Sequence, residues 1–301
     1  MKPGSDNRIY SDSEAVALIR LRYWQHLLNE RLKAKEFKIP VHLAFGHEAA
    51  AVAMDLTMRS DDALCLTHRN GAYNLARSKA FEVELAHYRL EPHPEIGGQM
   101  ASMNLAMENT NIAYSSSIIG NNLAVASGIA LHRKLVKSPG VVFVMTGDGA
   151  IEEGVVWESL IFARSHELRL VVVVENNNMS LGSSIEERRC AIDLSRVCSG
   201  LDVAYQCVSG ALLSEIKAAL GTAREQASNG RLSLVELDIK TFNQHAGPTP
   251  GWPEDPLRIA LEEGLVFNND PKDPLYHLQE AIGVAAFDRL AEQIMGGRND
   301  E

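Results

Sequence analysis

A doubly wound α/β fold on a parallel sheet is what the sequence predicts, and three observations carry it. Residues 141–146 and 170–175 are continuous apolar runs of the kind that strands buried on both faces require, and 232–239 is a further run. The segment between the first two runs, 151–168, has helical periodicity, which makes a β-α-β unit. A further helical segment near 212–227 precedes the third run, so strand and helix keep alternating.

Ahead of this centre, Ser11 followed by Glu14 forms a capping box, and Val16, Ile19, Tyr23 and Leu27 continue at helical spacing. An opening amphipathic helix follows. Residues 46–58 are alanine-rich without an internal breaker and predict a second helix begun by a glycine, and 61–66 predict a short strand. Residues 91–117 hold two prolines, the Gly97-Gly98 pair and a Ser run without a sustained period, which predicts a long functional loop. Residues 120–137 are helical again, with Ala124, Ala126, Ser127, Gly128 and Ala130 as a small-residue packing face, and a final helix falls near 275–295. The expected organisation is a helical N-terminal extension over 1–40, an α/β ligand-binding domain over 41–251 and a C-terminal tail with a helix over 252–301.

With 301 residues, 46% hydrophobic and 23% charged, the chain can bury a full core near the upper size for one domain. A net charge of -10 argues against nucleic acid and anionic membrane as partners. The four cysteines, Cys65, Cys190, Cys198 and Cys207, make no CxxC pair, and free thiols in a reducing compartment are expected. Residues 1–7 are polar and the apolar runs fall far short of the roughly 20 residues of a membrane span, so a cytoplasmic location is expected.

Ligands of open α/β sheets collect at the carboxyl ends of the strands. Here two such ends read Gly147-Asp148-Gly149-Ala150 and Glu175-Asn176-Asn177-Asn178. Glycines on both sides of Asp148 let the backbone approach a phosphate, and a helix starting near Ala150 would aim amides at the same place. Asp148, the Asn177 carboxamide oxygen and a carbonyl from the next turn, at Met179, form a hard-oxygen set suited to magnesium shared with phosphates. A GDG turn alone is as readily a helix cap, and the case rests on its pairing with Asn177. Glu152-Glu153 reads as helix-start charge rather than a catalytic dyad. No GxGxxG follows a strand, which argues against a dinucleotide fold.

Gly147-Asp148-Gly149 with Asn176-Asn177 resembles the thiamine diphosphate signature. The order of His42-Leu43, Gly46-His47-Glu48-Ala49, Thr67-His68-Arg69, Gly97-Gly98, Ser117-Ile118-Ile119-Gly120 and Glu236-Leu237 leading to His245 resembles the alpha subunit of the decarboxylating first component of 2-oxo acid dehydrogenase complexes, over about residues 18–255. The resemblance implies thiamine diphosphate and Mg2+ as cofactors, with Asp148, Asn177 and the Met179 carbonyl on the metal. It implies diphosphate contacts from Gly147, Gly149, Ala150, Arg69 and His68, and pyrimidine contacts from Ser117 and Ile119. His245 is implied as the catalytic histidine of a closing loop. It also implies a beta subunit that supplies the pyrimidine-binding domain and a catalytic glutamate in an α2β2 assembly, acting on a small 2-oxo acid or ketose-like donor.

Two family histidines are missing, since the arginine loop reads His68-Arg69-Asn70-Gly71 and the stretch after Gly97-Gly98 reads Gln99-Met100-Ala101-Ser102. These departures leave the cofactor anchor intact. They favour, as the alternative to 2-oxo acid dehydrogenation, a split carboligase or transketolase-like enzyme that passes the unit to an aldehyde or sugar.

Overall fold

The computed structural model describes residues 9–91, 102–243, 245 and 259–297. In chain order the helices are α1 (Asp12–Lys33), α2 (Glu48–Thr57), α3 (Gly71–Ser78), α4 (Phe81–Arg89), α5 (Asn121–Leu135), α6 (Gly154–Ser165), α7 (Ile185–Arg188), α8 (Leu194–Gly200), α9 (Leu213–Ser228), α10 (Pro274–Ile282) and α11 (Val284–Gly296). The strands are β1 (Ala63–Leu66), β2 (Ile112–Ser115), β3 (Val142–Gly147), β4 (Leu170–Asn176), β5 (Met179–Ser180), β6 (Ser183–Ser184), β7 (Ala204–Ser209) and β8 (Ser233–Asp238). Six of them form one sheet in the order β2-β1-β3-β4-β8-β7 with every pairing parallel, as the apolar runs predicted. β5 and β6 make a separate antiparallel hairpin.

Alternate residues of the central strands serve two cores, because side chains of a strand point to opposite faces. Phe143, Met145, Val171, Val173, Val235 and Leu237 pack with α1, α2 and α9, whereas Val142, Val144, Val172, Val174 and Leu234 pack with α5, α6 and α8. The chain steps from β1 outward to β2 and then back across to β3, so the direction of winding reverses between β1 and β3. A crevice at the carboxyl ends of these strands follows from that reversal.

The capping box on α1 is present, with Ser11 Oγ accepting from Glu14 N and Glu14 accepting from Ser11 N. The second helix starts at Glu48, two residues after the glycine. Gly46 has φ +99°, and a Cβ there would lie 2.0 Å from the Lys240 carbonyl oxygen, so it is a close-approach glycine where the exit of β8 crosses the entry of α2. The expected helix over 151–168 divides into a single 3-10 turn, Ala150–Glu152, and α6. The final helix is two helices, α10 and α11, broken at Gly283 with φ +83°. Within 91–117, residues 92–101 lie outside the described residues, and the part expected to be loop contains β2. On α5, Ala126, Ser127 and Ala130 are buried, while Ala124 and Gly128 are exposed. All four cysteines are free thiols. Among the described residues no helix is long and apolar enough to cross a membrane.

A buried ion-pair network ties the ends of the chain to its centre. Arg22 on α1 donates from Nε to Glu48 Oε1 at 2.6 Å, from Nη2 to Asp273 Oδ1 at 2.8 Å and from Nη1 to the Leu265 carbonyl at 2.7 Å. All three charged side chains are fully buried. Burial pulls the Arg22 guanidinium down, and the two carboxylates reverse that and raise it overall.

Candidate active site

One cleft of about 170 Å3 opens at the carboxyl ends of the strands, with walls from the turns after β1, β2, β3, β4 and β8. His68, Arg69, Ser117, Ile119, Gly147, Asp148, Gly149, Ala150, Asn177, Met179 and His245 all line it, although up to 177 positions separate them in sequence, from His68 to His245. Parallel pairing brings them together: Gly147 is in register with Glu175, which places the GDG turn beside the Asn177 turn.

The two glycines of the turn serve different neighbours. A Cβ on Gly149 would lie 2.6 Å from Ser180 Oγ, because the β5–β6 hairpin closes over it. A Cβ on Gly147 would meet protein only at the Glu175 carbonyl, 3.9 Å away, so its bare side faces the cleft. Asp148 is buried, and its Oδ2 accepts from Arg188 Nη2 at 2.8 Å. Burial pushes the Asp148 carboxyl up, and the Arg188 bond and charge offset this only in part. Glu152, expected as helix-start charge, pairs with Arg188 at 2.9 Å and Arg189 at 3.2 Å.

Arg69 is a buried cation that makes no ion pair among the described residues. Its guanidinium donates to the Leu43 carbonyl and, at 3.3 Å, to the His245 carbonyl. Desolvation pulls it down to about 10, with Glu175 opposing. A buried guanidinium held only by carbonyls is costly unless an anion joins it. Asn70, at the position where the family carries another residue, is buried and donates from Nδ2 to the Ser102 carbonyl at 2.9 Å and to Ser115 Oγ at 3.0 Å. It joins the β1 exit to β2.

Several residues without a role in the sequence reading hold the cleft in place. Glu175 accepts from His47 Nδ1 and from Tyr73 Oη, each at 2.7 Å. His47 Nε2 bonds Thr241 Oγ1 at 2.7 Å, and Asn177 Nδ2 donates to the same hydroxyl at 2.7 Å. Burial pushes the Glu175 carboxyl up, and His47, Tyr73 and Arg69 more than reverse it, holding it below the usual carboxylate range. With its amide nitrogen tied to Thr241, the Asn177 carboxamide has a fixed orientation, and its Oδ1 accepts from Met179 N at 3.0 Å. The available signal was a carboxylate closing the apolar run 170–175.

Thr241→Val removes the hydroxyl at nearly constant volume, whereas Thr241→Ser keeps it. If this relay orients Asn177 toward a metal, the valine variant should bind Mg2+ with the cofactor about 10–100-fold more weakly, the range typical of lost outer-shell support, and the serine variant should match the wild type. Titration calorimetry of both variants checks this, and equal affinities would make the relay purely structural.

The rim is apolar. Ile118, Ile119, Met179 and Leu181 are 66%, 52%, 45% and 56% exposed around the opening, a concentration of exposed apolar side chains that marks a surface for another molecule.

Fold and cleft together define an α/β protein with a ligand site at the switch point of a parallel sheet. The family described as "Dehydrogenase E1 component" matches residues 20–246, and the chain belongs to it. The mitochondrial pyruvate dehydrogenase E1 component subunit alpha of Dictyostelium discoideum is 25% identical over 296 residues, covering 95% of this chain and 76% of that one. The corresponding subunit of Rhizobium meliloti (strain 1021) is 24% identical over 254 residues, covering 83% and 72%. Among solved structures, a transketolase mutant from Pichia stipitis superposes with a TM-score of 0.55 at 18% identity, covering 95% of this chain and 45% of that chain, which is a likeness of fold.

Proposed function

We propose that this chain is the alpha subunit of a two-subunit thiamine diphosphate-dependent enzyme that decarboxylates a 2-oxo acid and passes on the acyl unit. The observation that carries this reading is the convergence in one cleft of a bare glycine turn, a buried arginine without a carboxylate partner, and the Asp148 and Asn177 strand ends. Thiamine diphosphate supplies the electron sink for cleaving the bond next to the carbonyl.

In this reading the chain's own residues bind and orient. Asp148, the Asn177 carboxamide oxygen and the Met179 carbonyl hold Mg2+, for which oxygen donors are the fitting set. A carbonyl oxygen has two lone pairs, so the bond from Met179 N leaves Asn177 Oδ1 able to serve the ion. Gly147, Gly149 and Ala150 take the diphosphate, with Arg69 and His68 at its terminal phosphate. Ser117 and Ile119 support the pyrimidine side. His245 faces the substrate channel; burial and the Arg69 charge pull its imidazole down to about 4, so in the chain without cofactor it is neutral near pH 7.

The pyrimidine ring needs a carboxylate to activate its amino group. The acidic residues lining the cleft are Asp148 and Glu175, and both are engaged, by Arg188 and by His47 with Tyr73. A beta subunit covering the apolar rim and contributing a glutamate completes the site, in an α2β2 assembly. Both relatives described above are named as pyruvate dehydrogenase subunits, which favours the 2-oxo acid reading over a carboligase. The purified chain should therefore show no turnover of 2-oxo acids alone and should gain cofactor affinity and activity when a beta subunit is added. Turnover by the isolated chain at a rate the partner does not change would overturn the two-subunit reading.

A further inference from the structure

Beside Arg69 three imidazoles from three parts of the chain meet: His68 after β1 and His245 after β8 line the cleft, and His42, before α2, packs against both of them. Their ring centroids are 4.8, 5.0 and 5.2 Å apart. One ring nitrogen from each lies within 4.8 Å of those of the other two. His42 Nδ1 and His68 Nε2 are buried with no hydrogen-bond partner. Buried polar atoms are seldom left so, and the exceptions call for a cause. Burial first, and the Arg69 charge second, pull the three imidazoles down to about 3, 2 and 4 for His42, His68 and His245, so near neutral pH their lone pairs are not lost to protons.

We propose that His42, His68 and His245 form a transition-metal site for Zn2+ or a similar borderline divalent ion, distinct from the oxygen donors at Asp148 and Asn177. Zn–N bonds of about 2.0–2.1 Å in a tetrahedral shell put the ligand nitrogens roughly 3.3 Å apart, so the ring nitrogens need to close by at most about 1.5 Å. Imidazole suits zinc, while carboxylate and carbonyl suit magnesium, so the neighbouring sites sort the two ions by donor chemistry. Three histidines leave the fourth position open, as in zinc sites that keep an exchangeable ligand. An anion drawn to Arg69 fits that position and offsets the repulsion between ion and guanidinium. A bound ion would hold His245 by its ring, so zinc acts on this chain as a reversible inhibitor that Mg2+ does not displace.

The site shares His68 and His245 with the thiamine diphosphate reading, but zinc binding is tested on the chain without cofactor, so the failure of one is distinguishable from the failure of the other. Titration of the purified chain with ZnCl2 in excess Mg2+ should show one ion bound per chain. Substituting Co2+ should give the visible absorption of a tetrahedral nitrogen-ligated ion. His42→Ala and His68→Ala, and the larger His42→Gln should the alanine variant fold poorly, should each weaken zinc binding by about 10-fold or more. His277→Ala, whose imidazole lies on the surface against the Pro271 carbonyl, should leave it unchanged. Absence of stoichiometric zinc, or a site that survives both His42→Ala and His68→Ala, would overturn the proposal.

Discussion

Asp148→Ala is expected to lower Mg2+-dependent cofactor affinity by more than about 100-fold while the protein stays folded, and Asn177→Ala should do the same. In the proposed site each substitution removes one of the few protein donors to the metal, and magnesium demands near-ideal octahedral geometry. The fold survives because Arg188, the residue Asp148 leaves behind, keeps its bond to Glu152 at 2.9 Å and lies near enough to the surface to be solvated. Asp148→Asn separates charge from shape: the amide fills the same space but leaves the metal one negative charge short. Calorimetry with Mg2+ and thiamine diphosphate, alongside a thermal melt, gives both readouts. Unchanged affinity in both alanine variants would reduce Asp148 to the ion-pair partner of Arg188 and Asn177 to a turn residue.

The largest effect on stability is expected at Arg22. Removing one partner of a buried ion pair costs about 3–5 kcal/mol, because the charge left behind has neither water nor a counter-ion. Arg22→Met strands two carboxylates, Glu48 and Asp273, in a fully buried space, and it also removes a guanidinium seated 4.3 Å above the Phe267 ring. For a chain of this size that loss corresponds to a drop in Tm of about 5–8 °C. Adding Glu48→Gln and Asp273→Asn should recover part of it, since no charge is then stranded, although the single amide oxygen of Asn can replace only one of the two Asp273 oxygens that accept from Phe267 N and Leu275 N. Urea unfolding of the single and triple variants measures both steps. A single variant within about 1 kcal/mol of wild type would show that the network contributes specificity rather than stability.

The parts of the fold that were legible are those where burial writes itself into consecutive residues. β3 and β4 are covered on both faces and read as apolar runs, so the turns after them, with Asp148 and Asn177, could be placed from sequence, and β8 was legible from its spaced Leu and Val residues. β2 and β7 could not. Both lie at sheet edges, and their half-exposed residues, such as Ala113 and Tyr114 or Gln206 and Cys207, give no apolar run. α3 and α4 were hidden because Asn74, Glu84 and His87 are polar residues buried in hydrogen bonds or partly satisfied, which breaks the apolar stripe. The supporting shell was illegible for another reason. His47 and Glu175 meet across 128 positions and Thr241 and Asn177 across 64, and periodicity within one element carries no information about such pairs.

Three consecutive residues at the entry to α2 have unrelated duties. Gly46 lets the exit of β8 cross, His47 reaches through Thr241 toward Asn177, and Glu48 turns the opposite way to Arg22. In a saturation mutagenesis screen this triplet should score as intolerant as the proposed metal ligands Asp148 and Asn177, although the cleft and the structural core would each account for only part of it. Selection on catalysis and selection on folding are superimposed there. Library designs that diversify the acceptor channel should hold residues 46–48 constant, since variants lost at these positions carry no information about specificity.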